Sequence, residues 1–277
     1  MGFTYRNEIA WENRDANVNR IRASEGYCIK AFRELIEEVA NVTINNKNFE
    51  MFYRGQSKDY KNNSSKYYSD RVPKTTIFPT ICRPELKSDG SPKYSIRSNQ
   101  VKARYEQLEK MIKLVDNKGG RYLNEYYYLL FQHYDTLPTP FIDITQSLRV
   151  AATFALRNSP IGYLYVLGLP YPNQSISYFL DFGIILIKLQ NILQTSALRP
   201  RYQEGFLVGK YPILPKKTGG DDLANRLVGK FFLDNTDGKF WDPDFPPMPD
   251  GVLYPKNDNI EIELKKAREI FQKMESR

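Results

Sequence analysis

Between residues 20 and 42, Cys28, Phe32, Leu35, Ile36 and Val39 recur at intervals of three and four with Arg and Glu between them. That spacing predicts one amphipathic helix. The same pattern over 99–116 places Val101, Tyr105, Leu108, Ile112 and Val115 on one face of a second helix. A third helix is expected over 121–134, and a fourth over 148–156, where Ala151, Ala152 and Ala155 permit close packing. Thr145 or Ser147 can cap that fourth helix. A strongly charged helix closes the chain at 259–275. From Asn48 to Tyr53, polar and apolar residues alternate, which predicts a short strand delivering Arg54-Gly55-Gln56 at its end. Apolar runs at 162–167, 183–189 and 205–208 predict further strands. The polar stretch 58–74 reads as a mobile loop, 83–95 as another loop, and 210–255, heavy in Pro, Gly and Asp, as an irregular wrap. Helices interrupted by short strands point to an α+β fold: a single mixed domain with a small strand core and terminal helices packed around it.

Composition narrows the picture. A chain of 277 residues, 41% hydrophobic and 14% aromatic, buries a sizeable core and is not disordered. No apolar run approaches the roughly 20 residues of a membrane span, and the polar N-terminus has no signal-peptide core. Cys28 and Cys82 are too few for a disulfide framework or a Cys-based zinc site. The expectation is a cytoplasmic, reduced protein with no membrane partner. A net charge of +8 favours polyanions such as nucleic acid, yet no run of five Lys or Arg occurs, so a plain basic surface stays open beside RNA binding.

The chemistry concentrates in 132–145, Gln132-His133-Tyr134-Asp135-Thr136-Leu137-Pro138-Thr139-Pro140-Phe141-Ile142-Asp143-Ile144-Thr145. It holds the chain's one histidine, which rules out a His-based metal site and a two-histidine nuclease; no metal is expected. His133 is either an acid/base group, or donor to a ribose or phosphate, or a satisfied structural residue. Asp143, set among apolar neighbours, either orients His133 or Arg54 or caps the next helix. Arg54 offers a planar fork for phosphate or carboxylate, with Gly55 allowing close approach of ligand or chain; a salt bridge followed by a turn is the alternative. In 199–206, Gln203 and Glu204 can meet ribose hydroxyls and Arg199 or Arg201 a phosphate, or the segment is simply a charged turn. There is no Walker A sequence and no GxGxxG; Asp181-Phe182-Gly183 stands without the other kinase elements.

Together these segments resemble the FRG domain family. Tyr53-Arg54-Gly55-Gln56 is similar to its F-R-G-Q, Phe78-Pro79-Thr80-Ile81-Cys82-Arg83 to its Pro-Ser-(x)-Arg segment, and 132–145 to its Q-H-Y-G-x-P-T-R-L-L-D-W-T signature. Ala151 to Ala155 resembles the A-x-x-F-A that follows, and 199–206 a late R-x-x-Q-x-G-x-F, so the likeness runs from about 50 to 210. Tyr53 replaces Phe, Asp135 Gly, Pro140 Arg and Ile144 Trp. The resemblance implies a helical segment at 1–47, an FRG-like domain at 48–210, and a wrap with a C-terminal helix at 211–277. It implies a bacterial toxin or phage-defence protein whose layout is similar to ADP-ribosyltransferases. NAD is then the substrate, the acceptor is a nucleic acid or a protein, and an antitoxin or defence-system partner is expected. On that likeness Arg54, His133, Gln203 and Glu204 carry catalysis, and Arg54, Gln56, Gln132, Tyr134, Thr139 and Asp143 bind the cofactor. The alternatives are a metal-independent ribonuclease and a non-enzymatic sensor of a nucleotide or phage protein.

Overall fold

A computed structural model describes residues 5–6, 11–12, 18–62, 72–83, 98–116, 124–193, 197–211, 222–256 and 258–275. Numbered along the chain, the strands are β1 (Tyr5–Arg6), β2 (Trp11–Glu12), β3 (Tyr27–Ile29), β4 (Glu50–Gln56), β5 (Lys61–Asn62) and β6 (Lys74–Thr75). They continue with β7 (Phe141–Thr145), β8 (Ile161–Leu169), β9 (Ile176–Phe179), β10 (Ile184–Lys188), β11 (Gly205–Lys210) and β12 (Leu227–Asp234). The helices are α1 (Val18–Ala23), α2 (Phe32–Asn45), α3 (Ser98–Val115), α4 (Asn124–His133), α5 (Leu148–Leu156), α6 (Leu189–Ile192), α7 (Leu198–Tyr202), α8 (Asp250–Leu253) and α9 (Asn259–Glu275). The fold is α+β, as the alternation of patterns predicts, but its main sheet has ten strands among the described residues and is not the small strand core expected. Among the described residues no helix is long and apolar enough to cross a membrane.

The chain packs into two compact units, each drawn from three segments. The first comprises Met1–Ile77, Ile144–Asn173 and Asp222–Leu253. Its strands run in the order β2-β1-β12-β8-β4, with β3 also pairing β12, and Tyr53 of β4 pairing Thr145 at the end of β7. β12 and β8 are antiparallel, as are β8 and β4, and these strands are buried on both faces, with Phe52 and Tyr165 on one and Phe231 on the other. Helix α5 lies on β4 and β8. Ser147 caps it, its hydroxyl accepting from the Val150 N–H, while Thr145 Oγ1 accepts from the Ser147 N–H. The capping alternative for Asp143 is therefore overturned.

The second unit comprises Phe78–Asp143, Gln174–Asp221 and Tyr254–Arg277. Its strands run β7-β11-β10-β9. Helix α3 packs on α4 and α9, and Val101, Leu108, Met111, Leu129, Phe131, Leu264 and Phe271 fill the core with Ile185 and Ile187 of β10. The helical spacing of these apolar positions seats α3 and α9 by one face, whereas α4 is buried at every position from Tyr127 to His133.

Several expectations are corrected. The helix expected over 20–42 is α1, β3 and α2: Gly26 takes a left-handed φ of +93° and Tyr27–Ile29 pair in parallel with β12. Cys28 consequently lies exposed on a strand and not on a helix face. Arg54-Gly55-Gln56 lies inside β4, because pairing to β8 continues to Gln56 opposite Tyr163. The irregular wrap contains β12, whose apolar run is framed by Pro, Gly and Asp; its part at 212–221 lies outside the described residues. Within the loop expected at 58–74, β5 and β6 pair antiparallel, and 63–71 lie outside the described residues, as do 84–95 and 121–123.

Candidate functional site

In the second unit, α4 ends at His133 and the chain reverses into β7. The reversal is a Schellman motif: the Thr136 N–H donates to the Phe131 carbonyl at 2.8 Å and the Asp135 N–H to the Gln132 carbonyl at 3.3 Å. Asp135 takes the left-handed conformation this requires, φ +50°. The turn brings Asp143 of β7 back onto the last turn of α4.

Gln132 organises the polar groups there. Its Nε2 donates to Asp143 Oδ2 at 2.6 Å, and its Oε1 accepts from the Thr80 hydroxyl at 3.1 Å and the Thr139 hydroxyl at 2.5 Å. The Thr139 N–H donates to Thr80 Oγ1 at 2.9 Å, closing the network. Thr80 is presented by a turn at Thr80–Cys82, which Arg104 of α3 clamps by donating to the Ile81 and Arg83 carbonyls, both at 2.8 Å. Gln132 and Thr139 are buried, whereas the Asp143 side chain is 40% exposed, so the network runs from the interior to the surface.

His133 stands beside this network. Asp143 Oδ1 stands 3.5 Å from His133 Nδ1. The residue is 5% exposed, and among the described residues its Nε2 is buried with no hydrogen-bond partner. A buried ring nitrogen without a partner costs stability. A Cβ built on Gly205 would lie 3.8 Å from His133 Cε1, so the backbone at Gly205 sits near the imidazole. Gln203 is buried; Glu204 is exposed and left-handed, φ +47°.

Tyr134 is fixed at both ends. Its ring stands edge-on to His133 at 5.6 Å, and its hydroxyl donates to Asp258 Oδ2 at 2.7 Å. Burial and the Asp258 carboxylate raise the phenol's pKa well above the ordinary tyrosine value. Asp258, 1% exposed, also accepts from the Ile260 N–H at the start of α9 and from the Arg199 N–H. The Arg199 guanidinium lies 4.5 Å from the Tyr254 ring centre and 5.8 Å from that of Tyr134. Neither Asp258 nor the Arg199–Tyr254 stack is signalled by any local pattern.

Arg54 and Gln56 belong to the first unit, on β4 opposite Tyr165 and Tyr163. Gln56 Oε1 is buried without a partner among the described residues. Gly55 serves close chain approach: a Cβ there would stand 1.8 Å from the Ala151 carbonyl oxygen of α5. The same unit holds a second polar cluster. Lys230, 1% exposed, donates to Asp59 at 2.6 Å, the Ser24 carbonyl at 2.5 Å and Thr75 at 2.9 Å. Burial pushes its pKa down, with Asp59 opposing. Its three N–H donors are all satisfied, which makes the cluster structural. Among the described residues no group of three His, Cys, Asp or Glu side chains is placed to hold a metal.

Residues 49–160 match the FRG domain family. The chain carries an FRG domain. The matched stretch holds β4 with Arg54, the Thr80 turn, α4 and β7 with the whole His133 network, and α5. It draws on both units and stops before β8. The 199–206 turn against His133 and the Asp258 anchor lie outside the FRG match. No curated protein matches the chain.

Proposed function

We propose that this FRG-domain protein is a toxin or defence enzyme that transfers ADP-ribose from NAD to a nucleic acid or protein, with His133 as the proton acceptor. One observation carries the reading: a buried imidazole with the Asp143 carboxylate 3.5 Å from one nitrogen and, among the described residues, no partner on the other. Such a nitrogen suits proton abstraction from an acceptor hydroxyl. In the reaction the bond from C1′ to the nicotinamide nitrogen breaks, the acceptor oxygen bonds C1′, its proton passes to His133 Nε2, and nicotinamide leaves neutral. Gln203 and Glu204, which precede Gly205 in the chain, hold ribose and face the oxocarbenium-like centre. Gln132 and Thr139 orient Asp143. The roles of Arg54 and Gln56 toward NAD rest on the family resemblance. The net charge of +8 suits an anionic substrate and a nucleic-acid acceptor.

The test is incubation of the purified protein with labelled NAD, with and without total RNA and cell lysate. Nicotinamide release, label transfer and RNA length are followed together. The expected result is label transfer, reduced by roughly a hundred- to ten-thousandfold in His133→Gln and Asp143→Asn, and lost in Glu204→Ala and Arg54→Ala. RNA shortened without NAD overturns the reading in favour of a ribonuclease. Silence in every channel, with thermal stabilisation by a nucleotide, overturns it in favour of a sensor.

A further inference from the structure

The structure assigns Arg199 as the anchor for a substrate phosphate in the second unit, with Asp135 as the counter-ion that the phosphate displaces. The assignment rests on the proposed function for the identity of that phosphate, the pyrophosphate of NAD. Arg199 comes from α7, and its side chain is 10% exposed. Its backbone N–H is fixed on Asp258, and its guanidinium is stacked at 4.5 Å on Tyr254. The fork is thus desolvated and pre-oriented, the condition under which arginine binds an oxyanion most strongly.

What it lacks is a good acceptor. Its Nε is buried with no partner among the described residues. Its Nη2 reaches Asp135 Oδ2 at 3.4 Å, and that carboxyl-bearing side chain is 81% exposed. A long contact to a solvated carboxylate is weak and readily exchanged. Arg22, of the first unit and equally buried, shows what a structural arginine looks like in the same chain. Its Nε donates to the Thr75 carbonyl at 3.0 Å, its Nη1 to Asn225 at 2.6 Å, and its Nη2 to Asp222. Arg199 has the burial of such a residue without its acceptors. Its position completes the argument, since the Tyr134 ring contacts both the Arg199 guanidinium and the His133 imidazole. An oxyanion on Arg199 therefore lies in the neighbourhood of His133, with Tyr134 in contact with both.

The probe is inorganic pyrophosphate, titrated calorimetrically into the full chain at low ionic strength. The wild type is expected to bind. Arg199→Lys keeps the charge but loses the fork, and is expected to weaken binding about tenfold or more. Asp135→Asn tolerates the left-handed φ, removes the competing carboxylate, and is expected to tighten binding about threefold. In the double variant that gain disappears, which separates competition for Arg199 from a general charge effect. No pyrophosphate binding by the wild type, unchanged affinity in Arg199→Lys, or an Asp135→Asn gain that persists in the double variant each overturns the assignment. If Arg199→Lys does not fold, the Asp135→Asn titration decides alone: tightening supports the assignment and unchanged affinity overturns it. Pyrophosphate binding with the expected pattern but no ADP-ribose transfer overturns the proposed function and leaves the anchor standing.

Discussion

A side chain at Gly55 has nowhere to go, because its Cβ would meet backbone atoms of α5 on three sides, including the Ala155 nitrogen at 2.9 Å. Backbone cannot swing aside as a flexible side chain can. Gly55→Ala is therefore expected to destabilise the first unit by about 1–3 kcal/mol or more, read as a lowered midpoint in thermal unfolding followed by circular dichroism. Unchanged stability would show that α5 is free to shift. The glycine following Arg54 was legible as a place of close approach; that the approaching group is a helix carbonyl was not, since Ala151 lies 96 positions away in sequence. Asp135 illustrates the opposite case. The left-handed turn it occupies follows from how α4 ends, and aspartate is among the few non-glycine residues that adopt this conformation at modest cost.

At the level of elements, the reversal from α4 into β7 is fixed by contacts from far along the chain. Tyr134 and Asp258 are 124 positions apart, yet their hydrogen bond ties the end of α4 to the beginning of α9. Tyr134→Phe removes one of the donors to a buried carboxylate, and is expected to cost about 1–3 kcal/mol. Hydrogen exchange should report it as faster exchange in the first turns of α9, with β10 unaffected; uniform loss of protection, or none, would count against Asp258 as the local tie. The helices α3, α5 and α9 were legible because their apolar spacing is uninterrupted. Periodicity missed the break at Gly26, where a single backbone angle and pairing to a distant strand outweigh the helical spacing from Cys28 to Phe32. It missed β12 because composition over a long window averages Leu227–Asp234 with its turn-forming flanks. The cluster from Gln132 to Asp143 was legible because it is contiguous. Asp258 was not, because only the fold makes it a neighbour.

Across the whole molecule, six chain segments alternate between two units, so the backbone passes from one to the other five times. No unit can be excised as a continuous piece. The FRG-matched stretch 49–160 holds the His133 network but stops before β8 and lacks β12, the strand between β8 and β1 in the first unit. Expressed alone, residues 49–160 are expected to show no cooperative unfolding transition, whereas the full chain shows one; a sharp transition in the fragment would overturn this reading of the fold. One property of the full chain makes the site unusually easy to watch. With a single histidine in 277 residues, the imidazole region of a nuclear magnetic resonance spectrum belongs entirely to His133. Every event at the candidate site, from protonation to the arrival of a ligand, is thereby carried by one pair of ring resonances that needs no assignment.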